Sequence, residues 1–134
     1  VAAMKATQKP PIDVEVTPAD LLRMAALYLR RHGWTQGDYY TVVFDALTPR
    51  ACVSGAIGMA AYGKAIDLPF LADLPERGDY RAAVWTLVDF LFLDSSTDLF
   101  GWNDRPGRTA ADVINALNAA ADRWDRLYNQ GGER

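Results

Sequence analysis

The sequence predicts a mainly α-helical single domain: a bundle of about four helices with the third at its centre, and a small two-stranded β element near the N-terminus. Three observations carry this expectation. Two segments begin with the same capping pattern, Thr17-Pro-Ala-Asp and Thr109-Ala-Ala-Asp. Apolar residues then recur three and four positions apart behind each of them. Between them, Ala82 to Leu93 is apolar on nearly every side, which suits a helix enclosed by others. The chain has 134 residues, of which 50% are hydrophobic and 23% charged, enough apolar material for one packed core.

Taken in order, residues 1–11 contain Lys5, Gln8, Lys9 and the pair Pro10-Pro11, and read as a flexible arm ahead of a helical domain over 12–129. Ile12, Val14 and Val16 alternate with Asp13 and Glu15, the period of a half-buried strand, and residues 39–44 are its natural partner. Thr17 caps the first helix, Pro18 suits its first position and Asp20 completes a capping box. Leu22, Ala25, Ala26 and Leu29 form its stripe; Arg30, Arg31 and His32 favour its C-terminal end, and Gly33 stops it. The stretch from Trp34 to Leu47 is β-branched and aromatic but too short for periodicity to decide its structure.

Thr48-Pro49 repeats the cap-plus-proline device and opens a second helix running to Tyr62, with Gly63 as its stop. Gly55 and Gly58 lie inside it, and because each costs about 1 kcal/mol relative to alanine, they imply close backbone packing. Residues 66–76 carry two prolines and read as a connection; Asp79 then caps the third helix, which runs to about Leu93. After a loop over 94–108, Thr109 caps a fourth helix with the stripe Val113, Ile114, Leu117, Ala121, Trp124 and Tyr128, and Asp122 stands at ion-pair spacing from Arg126. Residues 130–134 read as a flexible tail.

Composition narrows function more than it assigns it. A net charge of -3 with dispersed basic residues argues against nucleic-acid binding. One cysteine and one histidine supply neither a disulfide nor a structural zinc site, and a reducing cytoplasm is the expected setting. No cofactor or metal is expected, and no apolar run reaches the length of a membrane span.

Each group that suggests chemistry also has a plain structural reading. Cys52, in the opening turn of the second helix, would have its thiolate favoured there, yet most free cysteines pack as small apolar residues. His32, the one available base, more simply serves the end of the first helix. Asp89 sits in an apolar helix and needs pairing or exposure. Trp34, Tyr39, Tyr40 and Trp102 fall in expected loops, where aromatics either anchor an interface or cover a core. The run Trp102-Asn103-Asp104-Arg105-Pro106-Gly107-Arg108-Thr109 reads as a closed turn, a type II turn and a cap, and leaves the guanidinium groups of Arg105 and Arg108 unassigned.

The order Gly33-Trp-Thr-Gln-Gly, then Cys52 heading Cys-Val-Ser-Gly-Ala-Ile-Gly-Met-Ala-Ala, then Trp102-Asn-Asp-Arg-Pro-Gly-Arg-Thr leading into the last helix resembles a group of small, mostly actinobacterial and phage-encoded proteins classed as a domain of unknown function. The likeness spans roughly residues 18–124, and its most specific part is the Trp-Asn-Asp, Pro, Arg-Thr block. It implies an all-helical fold with similarly placed tryptophans, and no activity, cofactor or catalytic residue. Residues 38–50 depart from the more polar loop of that group.

The function expected on these grounds is a non-enzymatic interaction module that binds a protein partner or a small ligand, with a homodimer among the expectations. Its candidate binding residues are Trp34, Tyr39, Tyr40, Trp102, Asp104, Arg105 and Arg108. The alternative is a small enzyme with a carboxylate- or thiol-based site near Asp104 or Cys52.

Overall fold

The computed structural model describes residues 15–41 and 47–129. It is a helical bundle of α1 (Pro18–His32), α2 (Val53–Tyr62), α3 (Arg77–Phe90), the short α4 (Asp98–Asn103) and α5 (Ala110–Trp124), whose last turn widens into a π-helix at Asp125–Asn129. The expected arm over 1–11 and tail over 130–134 lie outside the described residues.

Local chemistry sets both long amphipathic helices. Thr17 and Thr109 each accept the backbone N–H three residues on, while Asp20 and Asp112 accept the cap N–H in return, so both expected capping boxes form. α1 ends at Gly33, whose φ of 104° is open to glycine. Its buried face, Ala19, Leu21, Leu22, Ala25, Ala26 and Leu29, packs against α5, α2 and α3. Ala19, Ala25 and Ala26 of α1 and Ala120 and Ala121 of α5 are all buried, and small residues of this kind let two packed helices approach closely. α3 also touches α1, α2 and α5, but one flank of it faces solvent, so α1 shares the central place expected for the third helix.

Several expected boundaries move. α2 begins at Val53 and not at Thr48-Pro49: residues 50–52 are extended and hydrogen-bond in both directions, with Thr41 N donating to Arg50 O and Cys52 N to Tyr39 O (both 2.9 Å), Thr35 N to Ala51 O (3.0 Å) and Ala51 N to Gly33 O (3.1 Å). A segment whose amides are engaged this way cannot also start a helix. The pairing expected between residues 12–16 and 39–44 lies largely outside the described residues; the described part, Tyr39–Thr41, pairs with 50–52 instead. No strand forms among the described residues, only isolated bridges from Trp34 and Tyr40 to Ala51.

α3 starts at Arg77, two residues before Asp79, and Glu76 at its cap makes no side-chain hydrogen bond. It stops at Phe90, short of Leu93, because Phe92 turns left-handed (φ 58°) while Leu93 N reaches back to Val88 O. This is a helix terminator usually built on glycine, and the Phe92 ring is 92% exposed. Residues 98–103, expected within a loop, form α4, which places Trp102 and Asn103 on a helix. Asp122 pairs with Arg23 at 2.8 Å, not with Arg126, and Arg23 also reaches Asp125 at 2.7 Å. Asp89 pairs with Arg123 at 3.1 Å at the surface.

Candidate functional site

The sequence-predicted residues separate into a structural knot and one member of a cavity. The knot centres on Asn103, which is fully buried at the end of α4. Its carbonyl oxygen accepts from Trp34 Nε1 (2.8 Å) and from Val53 N (2.9 Å), the first amide of α2; its amide donates to Thr35 O (3.1 Å) and Asp104 Oδ1 (2.9 Å). Asp104 Oδ1 also accepts from Gly37 N at 3.0 Å, and Gln36 Nε2 donates to the carbonyls of Asn103 and Arg105. Trp34, Asp104 and the Gly33–Gly37 loop are thereby fastened to the C-terminal end of α4. All four polar positions of the Asn103 side chain are used, leaving nothing for a ligand.

The two arginines part ways. Arg105 and Arg108 bracket a turn closed by Arg108 N to Arg105 O at 3.0 Å, with Gly107 at φ 88°, the expected type II geometry. Arg108 folds back: its Nε donates to Trp102 O (2.9 Å) and its guanidinium lies 4.2 Å from the centre of the Trp102 ring. Arg105 is exposed, with no side-chain partner among the described residues. Tyr40 is also structural. Its hydroxyl accepts from Ile66 N (3.2 Å) and donates to Ile66 O (3.3 Å), and its ring lies against α2 where a Cβ on Gly55 or Gly58 would come within 3.1 Å of it. Burial raises its pKa to about 12.

Cys52 caps α2, with Sγ accepting from Gly55 N at 3.3 Å. The helix end does not make it a thiolate. Burial pushes the thiol up to about 11, the amide of Gly55 offsets part of this, and the charge of Asp104 adds to it. His32 is exposed and stacks on Tyr28 at 4.7 Å, and no hydrogen bond joins it to Cys52 among the described residues. No group of three or more histidine, cysteine or acidic side chains among the described residues could hold a metal.

Sequence reasoning missed the cavity that Tyr39 enters. It lies between α2, α3, α4 and the connection after α2, has a volume of about 340 Å³, and is lined among others by Tyr39, Ser54, Phe70, Tyr80, Val84 and Phe100. Its aromatic walls are set edge to face, with Tyr39 against Phe100 (5.2 Å between ring centres) and Phe70 against Tyr80 (6.3 Å). Tyr80 is anchored by its hydroxyl on Ser54 O at 3.3 Å, and burial holds its pKa far above the ordinary tyrosine range.

The outer wall is held open by polar ties. Tyr62 donates to Pro69 O (2.7 Å), Arg81 Nε to Phe70 O (2.8 Å), and the Arg81 guanidinium stacks on Phe70. At its edge Leu68 is held at φ 50°, a left-handed conformation that a branched side chain adopts only when its surroundings impose it. Every described lining residue is uncharged. The cavity can therefore take up an apolar body without burying an ion, and its described lining holds no acid, base or activated nucleophile.

A second depression lies between α3 and the end of α5, where Trp85 (54% exposed), Leu127 (54%) and Tyr128 (67%) surround the Asp89–Arg123 pair. No helix among the described residues is long and apolar enough to cross a membrane.

Comparison with known proteins adds the family. No curated protein and no solved structure matches the chain. A model described as a family of unknown function (DUF6197) matches residues 13–123, which is most of the length, and the chain belongs to that family.

Proposed function

We propose that the protein is a non-enzymatic binding module whose working site is the cavity between α2, α3 and α4. The observation that carries this reading is an uncharged, aromatic-walled cavity of about 340 Å³, bounded by a wall tied in place at Pro69 and Phe70. Pre-formed concave sites of this character take apolar ligands or single side chains of a partner. The enzymatic alternative has less support: Cys52 is buried with its thiol pushed up, and Asp104 is spent on holding Gly37 and Asn103. The setting assumed is a bacterial cytoplasm, where a lone thiol stays reduced.

The test is a titration of amide NMR spectra with toluene, compared between the wild type and Val84→Trp, which fills the cavity. Shifts at Ser54, Val84 and Phe100 that Val84→Trp abolishes are expected. Shifts confined to other surfaces would refute the site.

A second reading, self-association, is favoured by the exposed Trp85, Leu127 and Tyr128, which gather around the depression between α3 and the end of α5.

A further inference from the structure

We infer that the cavity recognises a small neutral aromatic molecule bearing one hydrogen-bonding group, which the hydroxyl of Ser54 receives; this rests on the cavity being the binding site. Ser54 is only 3% exposed, yet it lines the cavity. It occupies the first turn of α2, but the capping there is done by Cys52 Sγ, and its carbonyl is taken by Tyr80. The Ser54 hydroxyl makes no hydrogen bond with any described residue. Among those residues, the one side-chain polar atom that is both sealed and unpaired is Thr41 Oγ1, so the Ser54 hydroxyl opens on the cavity.

A buried hydroxyl without a protein partner is costly unless water or a ligand satisfies it. Among the described lining residues, that of Ser54 is the one hydroxyl on a fully buried residue that makes no hydrogen bond, since Tyr80 is committed to Ser54 O and Tyr39, Ser96 and Thr97 are more exposed. The remaining walls specify the body of the ligand. Tyr39, Phe70, Tyr80 and Phe100 already meet edge to face, and an inserted ring continues that arrangement. Size and charge narrow it further. The volume of about 340 Å³ leaves room for a ring of benzene size, and no described lining residue offers a counter-charge to an ion.

Three probes of similar size separate the parts of this inference: benzyl alcohol, toluene and cyclohexylmethanol, titrated against wild type and Ser54→Ala by amide NMR. Alanine suits a helix, so Ser54→Ala keeps the fold, which its unshifted core amides verify. The expected result is that Ser54→Ala weakens benzyl alcohol about fivefold, the range of one neutral hydrogen bond, and leaves toluene unchanged, while cyclohexylmethanol binds the wild type more weakly than benzyl alcohol. Equal effects of Ser54→Ala on benzyl alcohol and toluene would overturn the role of Ser54. Equal binding of cyclohexylmethanol and benzyl alcohol would overturn the aromatic preference. Both outcomes leave the cavity standing as a site, whereas failure of all three probes to perturb it removes the site itself.

Discussion

Asn103 is the residue on which most depends, because one buried amide serves its neighbour Asp104 and three groups from two segments distant in sequence. Asn103→Ala strands Trp34 Nε1, Val53 N and Thr35 O, and with each buried unpaired group costing about 1–3 kcal/mol, a loss of at least about 3 kcal/mol is expected. Urea denaturation measures it; a loss below about 1 kcal/mol would mean that water replaces the amide. Cys52 makes a different kind of contribution. Its pKa is raised from 9.0 to about 11 in the folded chain, so the neutral thiol is the form the fold favours. The resulting stability is fully present below about pH 9 and is lost as pH rises through 11, on the order of 2–3 kcal/mol in all. Tyrosines titrate over the same range, but they do so in Cys52→Ala too. The expected observation is therefore a shrinking stability difference between wild type and Cys52→Ala from pH 9 to 11, and a constant difference would refute this account.

At the scale of elements, what the sequence made legible was what local chemistry decides. The capping boxes at Thr17 and Thr109 lie within four residues of chain, and α1 and α5 start where those residues put them. α4 was not legible because six residues give no periodicity, and the start of α2 was misplaced because Thr48-Pro49 is a local helix signal overridden by pairing with residues 33–41. The glycines of α2 were read correctly as marks of close approach. A Cβ on Gly55 would stand 2.3 Å from Tyr39 O, a backbone atom that cannot swing away, whereas one on Gly101 in α4 meets nothing within 4 Å. Gly55→Ala should therefore cost about 2–3 kcal/mol, while Gly101→Ala should be neutral or stabilise by up to about 1 kcal/mol. Thermal denaturation of the two variants decides this, and similar midpoints would count against the packing described.

Over the whole molecule, the cavity was illegible for a further reason: Tyr39, Ser54, Phe70, Val84 and Phe100 come from five stretches of chain, and only the tertiary fold assembles them. Of the aromatics that looked like a surface, Trp34 and Tyr40 are spent on tying distant stretches together, and Trp102 packs on the core beneath Arg108. The apolar residues left facing solvent lie elsewhere, at Trp85, Leu127 and Tyr128. At their exposures they present about 400 Å² of largely apolar surface, as large as the biggest patch an ordinary monomer shows. A stable dimer buries about 800 Å² on each partner, so this patch would provide about half of a two-fold interface. The charge at its middle is no obstacle, since Asp89 and Arg123 neutralise each other within one chain and two copies can meet without repulsion. The expected outcome of sedimentation equilibrium at high micromolar concentration is twice the mass of one chain for the wild type and a single-chain mass for Trp85→Asp. Trp85 meets Phe70 of the cavity wall edge to face at 5.8 Å, so the control for toluene is Leu127→Asp, which lies outside the cavity lining and should bind toluene unchanged while also staying a single chain. A wild type that stays monomeric would end the dimer reading and leave the cavity reading intact.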